Sequence, residues 1–182
     1  SNAPTSAPTA NPVRTVIADT IVRGGVNSAT NYGTMDWMLI KADPNIDFVR
    51  KGVVMFDMSD VPMASITSAT FRIRTFEFVG SNPTRTIHIV RLSASHPWTE
   101  TGLTWDNLDE SGSMDTGVSF DVASGQTYTW FEVDVTSLLN VGDSTLSLLL
   151  ENRETPGGDE TNVQFYSRKN TYAPELVLAP SW

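Results

Sequence analysis

Six of the 12 basic residues stand where short apolar or alternating runs begin or end: Arg23, Lys41, Arg50, Lys51, Arg168 and Lys169. If those runs are strands lying side by side, their ends meet on one rim. A rim of guanidinium and ammonium groups can hold a carboxylate or a sulfate, and arginine does so with two parallel hydrogen bonds. Surface ion pairs with nearby acids are the competing reading. Between Arg23 and the next run lies a polar loop with Gly24-Gly25, Asn27, Ser28, Thr30, Asn31, Tyr32 and Gly33. Paired glycines permit positive φ and close backbone approach. The other side chains hydrogen-bond, and Tyr32 brings a ring that can stack. Such a loop on a rigid strand is a usual place for binding chemistry, although an ordinary long connection uses the same residue types.

Other chemistries find less support. There are two histidines. His88 sits between Ile87 and Ile89 in mid-run, a structural setting, and His96 precedes Pro97 in a loop. No serine lies in a nucleophile-elbow motif. No His/Cys/carboxylate cluster has zinc-ligand spacing. Calcium takes carboxylate and carbonyl oxygens without a strict motif. A structural calcium is therefore compatible with the acidic loops at 43–47 and 106–115, with Asp19 or Glu100 as contributors. Solvated acidic loops explain the same residues. A glycosidase needs two opposed carboxylates, and among 21 acids the sequence selects no pair. The expectation is no enzyme.

The elements that must position these groups are strands. Apolar or alternating runs occupy residues 13–23, 37–42, 50–57, 69–78, 86–92, 128–135, 144–152, 162–167 and 175–179. Alternation sends Phe71 and Ile73 one way, and Arg72 and Arg74 the other. Val54 and Phe56, Phe131, Val133 and Val135, and Leu146, Leu148 and Leu150 read as inward positions. No segment keeps a 3.6-residue period over a dozen residues. The pattern predicts an all-β fold: an antiparallel β-sandwich of jelly-roll type with about nine to ten strands. Short helical turns are expected at 59–62 and at 136–139, the latter opened by Thr136 as N-cap. Residues 93–117 are long and irregular, and are expected to cross one end of the sandwich, with Trp98 and Trp105 plugging it.

The 182 residues suit one domain, here 13–182, preceded by a tail. Residues 1–12 read as a tag remnant, Ser1-Asn2-Ala3, and a Pro/Thr/Ala/Ser-rich linker of the kind found between modules. A net charge of −9 disfavours nucleic acid and anionic membranes as partners. No apolar run approaches the ~18 residues of a membrane span, so no membrane insertion is expected. The absence of cysteine excludes disulfides.

Several short motifs occur together. They are Ala18-Asp19-Thr20 with Val22-Arg23-Gly24-Gly25, Asn31-Tyr32-Gly33, Arg50-Lys51 leading to Phe56-Asp57-Met58-Ser59, and Ser68-Ala69-Thr70-Phe71-Arg72. Trp98-Thr99-Glu100 with Thr104-Trp105, Asp134-Val135-Thr136, Phe165-Tyr166-Ser167-Arg168 and Ala173-Pro174-Glu175-Leu176 follow. In this order they resemble the DNRLRE-type domain, over about residues 13–180. That jelly-roll module of secreted bacterial and archaeal proteins is related to the disaggregatase repeats and to the alginate-binding family of carbohydrate-binding modules. The resemblance implies a non-catalytic module that attaches a larger secreted or cell-surface protein to a polysaccharide, with covalently linked modules as neighbours. It implies contacts to uronate carboxylates from Arg23, Arg50, Lys51 and Arg168, with Asn31 and Tyr32. Position adds Lys41 and Tyr166. The chain departs from the family pattern at Lys169, where an acid is usual, and at Val53 and Met55, where relatives carry Tyr and a cation. Those two share a face with Lys51, which suggests a changed ligand or a face covered by another module. The alternative function is a structural or adhesion spacer without a soluble sugar ligand.

Overall fold

The computed structural model describes residues 12–79, 84–154 and 162–180. Most of the linker expected at 1–12 lies outside them. Ten strands run in chain order: β1 Val13–Arg23, β2 Trp37–Ile40, β3 Arg50–Asp57, β4 Ile66–Val79, β5 Thr84–Arg91, β6 Ser119–Ala123, β7 Trp130–Asp134, β8 Thr145–Asn152, β9 Asn162–Tyr166 and β10 Glu175–Pro180. All pairings are antiparallel. The fold is the expected antiparallel β-sandwich of jelly-roll type, and the nine expected runs all form strands.

One layer has the order β6-β5-β8-β3-β1, and the other β1-β10-β4-β9-β2, with β7 on the opposite edge of β4 from β10. Strand β1 belongs to both layers. Residues 13–15 pair with β10, and from Val16 onward the strand pairs with β3, with a bulge between Val16 and Ala18. A bulge changes strand direction, which lets one strand turn the corner.

The core follows from alternation. Ile21, Val54, Phe56, Ile87, Ile89, Leu148 and Leu150 from one layer meet Phe71, Ile73, Val163, Phe165, Leu176 and Leu178 from the other. Burial of each such side chain contributes about 1.5–3 kcal/mol. Strand β3 is buried on both faces. Val53 packs with Val22, Val90, Leu92 and Leu149 in a second cluster, roofed by Leu103, Trp98, Trp105 and Leu108. The long connection thus lies over the outer face of the first layer instead of plugging an end. Trp98 Nε1 donates to Ser147 Oγ of β8 at 3.0 Å, which fixes the lid to the sheet. The Val53 face is covered by this chain's own segment, with Met55 also buried.

Three further differences are local. Strand β6 was not expected, because only Phe120 and Val122 mark its alternation. The turn expected at 59–62 falls at Met63–Ser65, and further 3-10 turns form at Gly25–Asn27 and Ile46–Phe48. The turn at Thr136–Leu138 is present, but Thr136 does not cap it. Its hydroxyl donates to Asp134 and accepts from the Ala69 amide, tying the turn to β4.

Candidate functional site

Strands β1 and β3 place Arg23 directly opposite Arg50. Lys41, just past β2, exchanges both backbone hydrogen bonds with Arg50, at 3.0 and 2.9 Å. Three cationic residues therefore lie on three adjoining strand ends. Arg23 shares its face with Ile21, and Arg50 with Gly52 and Val54, so the two arginines stand at the mouth of the sandwich, above its core.

The opening loop folds to support this mouth. Gly25 adopts φ +63, and a Cβ there would run into Asp47. Gly33 lies so close to the Glu100 carbonyl that any side chain would collide with it. Asn31 donates to the carbonyls of Glu100 and Leu103 at 2.8 and 2.7 Å and accepts from the Gly33 amide. Its amide is engaged in holding the loop. Tyr32 is thereby presented to Arg23: Nη1 donates to the Tyr32 hydroxyl at 3.3 Å, and the guanidinium lies 5.3 Å from the ring centre. Arg23 Nε is out of water and without a hydrogen-bond partner among the described residues. Arg50 donates to the Phe48 carbonyl at 2.6 Å. Burial first, and then the neighbouring Arg23 charge, pull the Arg50 guanidinium below its ordinary value. Lys41 is buried, reaches Asp43 at 2.9 Å and sits 5.2 Å from the Phe48 ring centre.

The other candidates lie in different settings. Lys51 points to the opposite face, between Glu110 at 2.6 Å and Glu151 at 2.9 Å, with the Trp105 ring 5.6 Å away. Burial opposes its charge, but the hydrogen bonds to both carboxylates outweigh it and raise its pKa. Tyr166 is buried beneath Phe76 and Tyr172, with ring centres 5.3 and 5.2 Å away. Arg168 forks onto both oxygens of Glu100. Lys169 reaches Glu100 at 2.8 Å and Asp19 at 3.5 Å. Asp19 is 1% exposed and accepts from the Arg168 amide. Burial pushes its carboxyl up to about 6, against the pull of Arg168 and Lys169. The Arg168 fork holds Glu100 down at about 2. These two carboxylates, the named calcium contributors, are thus already faced by two cations, and a calcium ion would have to displace Lys169. No group of three or more His, Cys, Asp or Glu suited to a metal occurs among the described residues.

Charge pairing separates the two sets. Nine basic residues have a carboxylate within 3.2 Å. Among the described residues, no acid forms a salt bridge with Arg23, Arg50 or Arg74. Sequence reasoning selected the first two and missed Arg74, which alternation placed only as outward.

One catalytic-looking constellation also emerged. His96 Nδ1 lies 2.9 Å from Asp109, and Nε2 lies 3.2 Å from Ser111 Oγ. Asp109 and Ser111 are exposed, His96 is half-exposed, and the Ser111 amide is committed to Asp109 at 2.8 Å. That amide is therefore not free to stabilise an oxyanion beside the hydroxyl. The arrangement is that of a closed surface turn.

No curated protein matches the chain. A solved structure from desmodium yellow mottle tymovirus matches with 11% identity and a TM-score of 0.27, covering 100% of this chain and 95% of that one, a likeness too loose to bear on fold or function. The model of carbohydrate-binding module family 96 matches residues 11–180, which shows that the chain belongs to that family of carbohydrate-binding modules.

Proposed function

We propose that this domain is a non-catalytic module that holds an acidic polysaccharide, uronate or sulfated, at the mouth formed by Arg23, Arg50 and Tyr32, with Lys41 behind them. The observation that carries this reading is the pair Arg23 and Arg50. Two like charges face each other on adjacent strands, and no acid among the described residues forms a salt bridge with either. Guanidinium groups stay ionised at any working pH. Asp43 offsets part of the Arg50 charge without forming a salt bridge with it, and a sugar carboxylate or sulfate would relieve the repulsion that remains while accepting paired hydrogen bonds. Tyr32 offers a ring at the edge of the same mouth, suited to the carbon face of a pyranose. The net charge of −9 makes such a local basic site more distinctive.

We place the module in a secreted or surface-attached protein, joined to other modules. The Pro/Thr/Ala/Ser composition of residues 4–12 supports that setting. Calorimetric titration with uronate and sulfated oligosaccharides tests the site. Micromolar-to-millimolar binding that weakens with salt is expected. No heat with alginate-type, pectic or sulfated glycans would refute the acidic reading.

A further inference from the structure

A third cation without a salt bridge among the described residues, Arg74, marks a second surface. Arg74 of β4 lies with its guanidinium carbon 3.8 Å from the centre of the Tyr172 ring and 5.8 Å from that of Tyr166. Its Nε donates to the Tyr128 carbonyl at 3.0 Å. Its two terminal nitrogens have no hydrogen-bond partner among the described residues. Tyr172 and Tyr128 are 42% and 56% exposed. Beneath them, Phe76 contacts Tyr128 and Tyr166, and Tyr166 contacts Tyr172, so the exposed rings stand on the half-buried Phe76 and the buried Tyr166.

The backbone here is held in an unusual state. Tyr128 has φ 55, and among the described residues no other non-glycine residue has positive φ. The strand-joining turn is clamped by the fully buried Thr75, whose hydroxyl donates to Gln126 and accepts from the Thr129 amide. Strained backbone that displays a large ring to solvent is a feature of binding sites, because it presets the ring.

We propose that Arg74, Tyr128 and Tyr172 form a second saccharide site, a platform for one pyranose ring of a glycan chain. The carbon face of the sugar lies on tyrosine, and a hydroxyl or carboxylate oxygen of the same ring accepts from the free edge of the guanidinium. A planar cation pinned over one ring and bonded beside another matches the mixed apolar and polar faces of a pyranose. This site rests on membership of a carbohydrate-binding family. It does not depend on the ligand of the Arg23–Arg50 mouth or on that ligand's charge.

The chain's 4 tyrosines allow both sites to be read in one experiment. Ring-labelled tyrosine is followed by NMR while neutral cello-, manno- and xylo-oligosaccharides and uronate oligosaccharides are titrated in. Tyr32 reports on the mouth, and Tyr128 and Tyr172 report on the platform, with Tyr166 expected to follow Tyr172 because their rings are in contact. At least one glycan is expected to shift Tyr128 and Tyr172 saturably. Tyr172→Ala and Arg74→Gln should each weaken that binding about 5-fold, and Tyr172→Phe should restore it. Arg74→Gln keeps the test available if Tyr172→Ala fails to fold. Shifts confined to Tyr32, no platform shift up to about 10 mM glycan, or an affinity indifferent to both substitutions would overturn the proposal. Uronates that leave Tyr32 unmoved would count against the mouth alone.

Discussion

Two cationic clusters stand on this sandwich and are treated in opposite ways. At Arg168 and Lys169, each cation meets a carboxylate of Glu100 or Asp19, drawn from β1 and from the lid segment. At Arg23 and Arg50, two guanidiniums face each other and no acid forms a salt bridge with them among the described residues. The first cluster ties β1, the lid and the segment after β9 together. The second leaves a like-charge repulsion that the fold tolerates. The difference teaches that a basic residue at a strand end is a candidate for binding only when the fold leaves it without a salt bridge. Residue type alone made Arg168 and Arg50 look equivalent.

The largest test removes the counterion from the saturated cluster. Glu100→Ala leaves Arg168 and Lys169 facing each other and the Asp19 amide without its acceptor. A loss of about 3 kcal/mol in urea unfolding is expected, with glycan affinity unchanged wherever the variant is folded. A stability change below about 0.5 kcal/mol would show that the ion pairs are only surface decoration.

Next comes the mouth. The double variant Arg23→Gln/Arg50→Gln should lose about 100-fold in uronate affinity, roughly 2.7 kcal/mol, while unfolding stability holds or rises as repulsion disappears. Reduced stability with intact binding would reverse the two clusters' roles. Salt sharpens the same contrast more gently. Raising NaCl from about 0.05 to about 0.5 M shortens screening lengths and should weaken uronate binding about 10-fold, with a much smaller change in unfolding midpoint.

The smallest effect concerns pH. The folded Asp19 pKa, about 6, lies above its unfolded value, so its protonated form favours folding. Its contribution is fully present below pH ~4 and is lost as pH rises through about 6. Glu100, held at about 2, works the other way, and its contribution is lost as pH falls below ~4.5. Melting temperatures should therefore rise modestly from pH 7 to pH 5 and fall again in stronger acid. Asp19→Asn should flatten the first limb, and an unchanged limb would assign it to the chain's general acidity.

Much of the strand layout was legible in the residues. Phe71 against Arg72, and Val133 against Glu132, alternate so regularly that burial could be assigned position by position, because the period of 2 in a strand fixes which face a side chain takes. Strand β6 escaped notice since Phe120 and Val122 are too few to establish a period. The lid was misplaced because residues 93–117 carry apolar side chains without any period, and only the outward-facing apolar side chains of Val53, Val90 and Leu149, which they cover, show where they dock. The mouth was legible as a list of residues and not as an arrangement.

The sequence by itself determined that the chain is an acidic, cysteine-free all-β domain, with cations at strand ends and glycines where the opening loop must turn. Only the tertiary structure decided which cations are neutralised. Glu100 lies 68 residues from Arg168, and Arg50 lies 27 from Arg23. Electrostatic energy depends on distance in space and on burial, and neither is encoded in local spacing. The same holds for Arg74, whose tyrosine neighbours come from two distant loops that meet only when β4, β7 and β9 pair.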